Sequence, residues 1–289
     1  STPLHLLGSS AGAWRFACFA QADPIGASRR FCQAYSHIRY PKGADAALIS
    51  DISASIINDV FPTDAELQQV LDNPVVKLNL VVAKARRISA ARHKVLQAAA
   101  LSLAASANLI HRKHLQYFFQ RVLFHLPGAP SPFHHAGILP TQHVALTSAN
   151  LRQAVLASGS IPMVLNPVEN IAGAGAGLYY DGGITDYHFD LPFSSDGLVL
   201  YPHFYPRLTP GWFDKSLPWR RAKQAHLHNV VLLCPSEQWV KSLPFGKIPD
   251  RNDFKLPDNV RINYWQEVIA RSEELAQALK RGNLVPEPL

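Results

Sequence analysis

A G-x-S-x-G motif near the start of the chain constrains the fold more than any other feature of the sequence. The motif Gly8-Ser9-Ser10-Ala11-Gly12 lies between an apolar run at residues 3–7 and a second apolar run at residues 13–20. The first run predicts a short buried strand and the second predicts a helix, and this strand-turn-helix order is half of a βαβ unit. A G-x-S-x-G motif in this context is typical of a nucleophile elbow, a strained turn that exposes a serine hydroxyl above a sheet.

Each residue of the motif has a separate expected role in such an elbow. We expect Ser10 to be the nucleophile, and the backbone N–H of Ala11 to point at the negative charge that develops on a substrate oxygen. Side chains at Gly8 and Gly12 are expected to collide with the neighbouring strand and helix. The alternative interpretation is an ordinary Gly/Ser turn without a catalytic role.

A second motif contains a candidate base for this serine. Asp181 follows the aromatic pair Tyr179-Tyr180 and precedes Gly182-Gly183, two glycines that let the backbone approach a partner closely. A serine hydroxyl needs a base, and a carboxylate whose pKa is near 3.9 is a weak one. Asp181 would therefore need partial burial to raise its pKa. The alternative interpretation is a turn aspartate in an Asp-Gly hairpin.

Together with a third motif, these segments resemble the patatin-like phospholipases. The stretch Leu156-Ala157-Ser158-Gly159-Ser160-Ile161-Pro162 lies between the elbow and the Asp-Gly-Gly motif, which is the order found in that family. The resemblance covers about residues 4–200. Segments 201–204 and 210–212 resemble the bacterial branch of the family.

The resemblance implies a three-layer α/β/α fold with a mostly parallel central sheet. It also implies a serine–aspartate dyad of Ser10 and Asp181 that hydrolyses acyl esters of lipids through an acyl-enzyme, as a phospholipase A or related carboxylic ester hydrolase. No metal and no organic cofactor would be needed. The family has a Gly-rich, Arg-containing oxyanion loop before the elbow strand. We identify no such loop, and we expect one domain over residues 1–289 from which an N-terminal segment is missing.

Composition excludes several other classes of protein. The 289 residues are 47% hydrophobic and 17% charged, which argues against intrinsic disorder and fibrous repeats. Three scattered cysteines do not make a disulfide scaffold and favour a reducing compartment. No apolar run reaches the roughly 20 residues that span a bilayer. We therefore expect a cytoplasmic location, with peripheral contact at the inner membrane as a hypothesis.

The net charge favours anionic partners. Lys and Arg number 28 and Asp and Glu number 21, which leaves a formal charge of +7. The basic residues are scattered, and neither an RNA-binding aromatic signature nor a helix-turn-helix pattern occurs. We therefore expect phospholipid or another lipid ester as substrate, contact with an acidic bilayer, and no nucleic acid.

One apolar segment leaves two structures open. Residues 83–125 have a helical pattern, and residues 95–110 within them are apolar apart from small polar side chains. Six cationic residues flank this stretch: Arg86, Arg87, Arg92, Lys94, Arg112 and Lys113. Because the apolar residues lie nearly all round the helix, we expect a buried helix with solvated ends. The alternative is a helix that lies against anionic lipid headgroups.

Local patterns predict several further elements. Residues 78–82, 198–201 and 230–234 are expected to be strands, and residues 147–157 and 258–281 helices. A helix over residues 64–71 begins with a capping box, in which Thr63 and Glu66 satisfy the first free N–H groups.

Two other functional hypotheses remain. The thirteen histidines include three close pairs: His111 and His114, His134 and His135, and His226 and His228. These pairs lack a carboxylate or cysteine at ligand spacing, so we predict no metal site. His188 or His203 could complete a Ser–Asp–His triad in an α/β-hydrolase order, although the dyad matches the family better. The last alternative is a catalytically silent lipid-binding module with the same fold.

Overall fold

A computed structural model describes residues 2–128, 131–133, 137–193 and 197–287. His134 and His135 lie outside these residues. The α-helices are α1 Ala11–Phe19, α2 Pro24–Ser36, α3 Ala46–Val60, α4 Asp64–Leu71, α5 Lys94–Ile110, α6 Leu151–Ser158, α7 Glu237–Ser242 and α8 Asp258–Lys280. The strands are β1 Leu4–Gly8, β2 Val76–Ala85, β3 Phe119–His125, β4 Thr141–Ala145, β5 Val168–Glu169, β6 Leu178–Asp181, β7 Val199–Pro202 and β8 Val230–Leu233.

Strand β2 organises the six-stranded central sheet. It pairs along one edge with β3, and along the other edge first with β1 and then with β6. Strand β1 runs parallel to residues 76–80, whereas β6 runs antiparallel to residues 82–84. The C-terminal ends of β1 and β6 therefore point toward each other beside Val81.

The sheet confirms the α/β class but is mixed rather than mostly parallel. The β1–β2 and β3–β4 pairs are parallel, and the β2–β3, β2–β6 and β5–β6 pairs are antiparallel. The expectation that residues 83–125 are helical throughout is wrong, because this segment ends in β3. Since β3 is buried on both faces, its sequence lacks the polar alternation that distinguishes a strand from a buried helix.

Helices and a second small sheet cover the two faces of the central sheet. Leu78, Leu80 and Val82 of β2 face a core that α1, α2, α3, α4 and α6 close. The alternate residue Ala83 faces the opposite side, where α5 packs. Val81 also faces that side, in a cluster that includes Val230 of β8. The predicted strands at residues 198–201 and 230–234 are confirmed as β7 and β8, which pair in parallel apart from the central sheet.

Helix α5 is not the buried helix that we expected. Only Ala100, Ala104 and Asn108 are buried, whereas Leu103 is 52% exposed and Ile110 is 78% exposed. The buried side carries mainly small side chains, with Leu101 partly buried beside them, whereas Leu96, Leu103 and Ile110 point to solvent. Among the described residues, no helix is long and apolar enough to cross a membrane.

The C-terminal helix packs against the N-terminal half of the chain. Trp265 of α8 stacks on Tyr35 of α2, with 5.9 Å between the ring centroids. Arg261 is completely buried, with its guanidinium over the rings of Phe254 and Trp265. These contacts support the prediction of one domain, which stays a prediction. The expected capping box of α4 is confirmed, because Thr63 and Glu66 form both of its hydrogen bonds.

Candidate active site

The turn between β1 and α1 has the strained geometry of a nucleophile elbow. Ser10 has φ 53° and ψ −132°, a conformation that side-chain-bearing residues rarely adopt. The backbone N–H of Ser10 donates to the carbonyl oxygen and to the Oγ of Ser158, each at 3.0 Å. A Cβ at Gly8 would lie 2.7 Å from the backbone of Ala13, so only glycine fits there. The turn is thus fixed by the hydrogen bonds to Ser158 and by the close approach of Gly8 to the first turn of α1.

Asp181 lies within hydrogen-bonding distance of Ser10. The Ser10 Oγ donates to the Asp181 Oδ2 at 2.7 Å. The other carboxylate oxygen, Oδ1, accepts the N–H of Gly183 at 2.6 Å. The backbone N–H of Asp181 donates to the carbonyl oxygen of Ser160 at 2.9 Å. The carboxylate is therefore positioned by the backbone on both sides and is directed at the serine.

The two glycines after Asp181 lie close to other groups, Gly182 to a backbone carbonyl and Gly183 to the Asp181 carboxylate. A Cβ at Gly182 would lie 2.2 Å from the carbonyl oxygen of Val81, and one at Gly183 would lie 2.9 Å from the Asp181 Oδ1. Gly12 differs from these positions, because a Cβ there would meet no atom within 4 Å. The expected collision at Gly12 is wrong, since the helix points this position toward open space.

Burial makes Asp181 a stronger base than an exposed aspartate. The residue is 7% exposed, and desolvation raises the pKa of its carboxyl to about 6. The hydrogen bonds from Ser10 and Gly183 oppose this shift, as do the positive charges of Arg251 and Lys215. A pKa near the operating pH suits a group that must accept and return a proton.

The N-terminus of α1 has a free donor beside Ser10. The N–H groups of Gly12 and Ala13 both donate to the carbonyl oxygen of Ser9, and that of Trp14 donates to the carbonyl oxygen of Ser10. Ala11 is the first residue of the helix, so its N–H has no acceptor one turn earlier. Among the described residues we find no other acceptor for it. This N–H is therefore free to bind an oxyanion.

The geometry and the family comparison agree. The family model of the patatin-like phospholipases matches residues 2–188. The chain belongs to this family. The matched segment includes the patatin-like elbow, the Ser158–Pro162 segment and the Asp-Gly-Gly motif, and members of the family are lipid acyl hydrolases. Comparisons with curated proteins and with solved structures returned no match.

Two serines that link the parts of this patatin-like site had no assigned role in the sequence analysis. Ser158 is completely buried; its Oγ accepts the Ser10 N–H and donates to the carbonyl oxygen of Val81 at 2.7 Å. The carbonyl of Ser160 holds the backbone of Asp181. Both serines occur in the third motif, so the sequence indicated that this segment belongs to the site. The spacing of the motif does not reveal which groups the two serines bind.

A buried ion pair supports the patatin-like elbow through a hydrogen bond to Ser9. The Ser9 Oγ donates to the carbonyl oxygen of Asp186 at 3.0 Å. The carboxylate of Asp186 accepts two hydrogen bonds from Arg121, at 2.6 and 2.7 Å, and both side chains are buried. The sequence does not reveal this pair, because its two residues come from distant segments without a shared motif.

The histidines of this patatin-like chain do not form a triad with Ser10. The Nδ1 of His188 accepts the N–H of Thr209 at 2.7 Å, and burial lowers the pKa of His188 to about 3. The Nδ1 of His203 lies 2.7 Å from the carbonyl oxygen of Tyr205. Neither ring is hydrogen-bonded to Ser10 or Asp181 in the described chain. The described residues also contain no group of His, Cys, Asp or Glu that could hold a metal ion.

Proposed function

We propose that this patatin-like protein hydrolyses acyl esters of lipids, with phospholipids as the substrate class, through an acyl-enzyme on Ser10. The observation that carries the proposal is the 2.7 Å hydrogen bond from the Ser10 Oγ to Asp181. The strained elbow and the free Ala11 N–H support it, because they place a nucleophile, a base and an oxyanion donor around one point.

The proposed reaction has two steps. In the first, Asp181 takes the proton of Ser10 while the Oγ attacks the ester carbonyl, and the Ala11 N–H stabilises the resulting oxyanion. The intermediate collapses to an acyl-serine, and Asp181 returns the proton to the departing alcohol. In the second step, Asp181 takes a proton from water as the water oxygen attacks the acyl carbon. The bond between this carbon and the Ser10 Oγ then breaks, Asp181 returns the proton to the Oγ, and the carboxylic acid leaves. Neither step calls for a metal or an organic cofactor.

We further propose that the protein works in the bacterial cytoplasm and contacts the inner membrane from that side. Cys18, Cys32 and Cys234 are all free thiols, which supports a reducing compartment. The formal charge of +7 supports attraction to an anionic lipid surface over repulsion from it.

Labelling with a fluorophosphonate tests the nucleophile. We expect mass spectrometry to locate the label on Ser10, and Ser10→Ala to lower the hydrolysis of a soluble ester by about a thousandfold or more. Ser9→Ala is the matched control, since the Ser9 Oγ is bonded to the carbonyl of Asp186 and does not face Asp181. This variant loses a bond that supports the elbow but keeps the nucleophile, so it should keep its label and lose far less activity than Ser10→Ala.

The same experiment discriminates between the functional hypotheses. Label at another residue, or full activity in Ser10→Ala, would refute the dyad. Absence of both label and hydrolysis, in a folded protein that still binds vesicles, would favour the silent lipid-binding module instead.

A further inference from the structure

Helix α5 presents a row of large aliphatic side chains to solvent. Leu96, Leu103 and Ile110 are 50%, 52% and 78% exposed. Seven residues make nearly two helical turns, so residues at this spacing lie on the same side of a helix. Ala99 and Ser106 fall between them on that side. We call these five residues, Leu96, Ala99, Leu103, Ser106 and Ile110, the α5 row.

The opposite side of α5 is anchored, so the row does not rotate into the core. The Asn108 Nδ2 donates to the Asp214 Oδ1 at 2.6 Å, and both groups are buried. The Gln97 Nε2 donates to the hydroxyl of Tyr180 at 2.6 Å. Ala100 and Ala104 pack between these two anchors. The row is thus a fixed feature of the surface.

The charged residues that flank α5 in the sequence are all cationic. No Asp or Glu occurs between Asp72 and Glu169, whereas four Lys and six Arg occur there. Four of these cationic side chains, all exposed and beside the ends of α5, have no carboxylate within ion-pair distance in the described structure: Arg86, Arg87, Lys94 and Lys113. Residues 95–110 themselves carry no charge. An apolar centre with a basic rim is complementary to acyl chains beneath anionic headgroups.

An exposed tryptophan precedes an arginine that binds the C-terminal end of α5. The Arg220 Nη2 donates to the carbonyl oxygen of Asn108 at 2.9 Å and approaches that of Leu109 at 3.4 Å. Trp219, the residue before Arg220, is 65% exposed. Tryptophan and arginine at the edge of an apolar surface are typical of a lipid–water interface.

Apolar surface continues from α5 toward the dyad. Gln97 lines a small cavity together with Pro162 and Tyr180. Met163 and Val164, which follow Pro162, are 45% and 39% exposed. Ser160, two residues before Pro162, bonds the backbone of Asp181. The N-terminal half of α5 and the catalytic turn are therefore neighbours across one loop.

From these observations we propose that the α5 row docks the protein on an anionic lipid surface. This docking surface rests on the proposed function, because it would bring the Ser10–Asp181 site to the lipid that the protein hydrolyses. A helical protein partner is less favoured, since the sides of the row have no charged residues with which to set a register or select a partner.

Vesicle binding by the full chain tests the proposal. The Ser10→Ala protein is used so that no hydrolysis alters the lipids during the measurement. It is mixed with vesicles of phosphatidylcholine, with and without phosphatidylglycerol, and the bound fraction is measured by co-sedimentation. We expect binding to the anionic vesicles that weakens with added salt.

Leu103→Glu is compared with Leu279→Glu, which makes the same change at a half-exposed position of α8. We expect Leu103→Glu to weaken vesicle binding by about tenfold or more, whereas Leu279→Glu should leave it near that of the parent. With Ser10 restored, both variants should hydrolyse a soluble ester at the rate of the unmodified protein, because neither leucine contacts the dyad.

The outcomes separate the two proposals. Equal binding by the two variants, or no preference for anionic vesicles, would overturn the docking surface and leave the dyad unaffected. The hydrolase proposal requires that the Ser10→Ala protein no longer hydrolyses the soluble ester. The docking proposal requires that the same protein still binds anionic vesicles. A soluble ester left intact by the unmodified protein, with vesicle binding intact, would overturn the hydrolase alone. A dimer that Leu103→Glu dissociates, without vesicle binding, would overturn docking in favour of a subunit interface.

Discussion

The Oγ of Ser10 and the Oδ2 of Asp181 lie 2.7 Å apart because two strands meet end to end along one edge of β2. Gly8 of β1 pairs with Leu80, and Asp181 of β6 pairs with Val82. Since β1 is parallel and β6 antiparallel to β2, the chain leaves both strands at the same place. A nucleophile just after one strand and a base at the end of the other therefore meet without a long connecting loop.

The pKa of Asp181 predicts the pH dependence of hydrolysis. The reaction needs the ionised carboxylate, and burial raises its pKa to about 6. Below this pH the group is protonated and cannot accept the proton of Ser10. We expect kcat/KM for a soluble ester to fall by about tenfold per pH unit below the pKa and to level off above it. A profile that stays flat through this region would contradict Asp181 as the base.

The same burial predicts that Asp181 destabilises the folded protein at neutral pH. Its pKa is higher in the folded state than in the unfolded state, so the cost exists above about pH 6 and disappears below about pH 4. Asp181→Asn should therefore raise the free energy of unfolding by about 3 kcal/mol at pH 8, with little gain at pH 4. Denaturant unfolding at both pH values measures the difference.

Asp186→Asn is the matched control for that substitution. It also removes a buried carboxylate, but one that is paired with Arg121. The change removes the carboxylate charge that faces the buried guanidinium of Arg121, so this variant should be less stable than the unmodified protein. If Asp181→Asn lowers the stability at pH 8, as Asp186→Asn is expected to do, desolvation of Asp181 is not the dominant effect.

The two glycines of the elbow should respond differently to alanine. A Cβ at Gly8 meets backbone atoms of Ala13 that cannot move aside, so Gly8→Ala should cost about 2 kcal/mol or more. Gly12→Ala adds its methyl group to open space within α1, where alanine is the better helix former by up to about 1 kcal/mol. Thermal unfolding of both variants tests this ranking. If both variants lose the same free energy of unfolding, the added methyl group at position 12 also meets a steric clash, which would contradict the prediction.

Ser158 should act as a positioning residue for the nucleophile. Ser158→Ala removes the Oγ that accepts the Ser10 N–H, so the elbow should loosen and kcat should fall by about tenfold while KM changes little. Ser160→Ala is the matched control, because Ser160 is equally buried but its Oγ donates only to the carbonyl of Leu156. Steady-state kinetics of both variants separate positioning from loss of stability. Equal losses of kcat would contradict a specific role for Ser158.

Some predictions succeeded because their causes are local. The capping box of Thr63 and Glu66 needs only residues three apart, and both of its bonds form. Helix α8 ends at Lys280, next to the predicted end at residue 281, and Gly282 just beyond it has φ 69°. The elbow strand and helix were also found, because the apolar runs and the turn between them are contiguous in the chain.

Other features depend on how distant segments pack. Strand β3 was missed because burial on both faces removes the alternation that identifies a strand. Helix α5 was expected to be buried, yet most of its large aliphatic residues are exposed because only the side that bears Ala100 and Ala104 packs against the protein. Composition gives the apolar content of a helix but not which of its sides finds a partner.

The sequence alone determined the chemistry of the candidate site: a serine in a turn that only glycine at position 8 permits, and an aspartate followed by two glycines. Tertiary structure decided the rest. It brought Asp181 to Ser10, buried the carboxylate so that its pKa rises, and placed Ser158 against the elbow. The physical reason is that steric limits act between neighbouring residues, whereas hydrogen bonding and desolvation at this site arise between groups that only the folded sheet brings together.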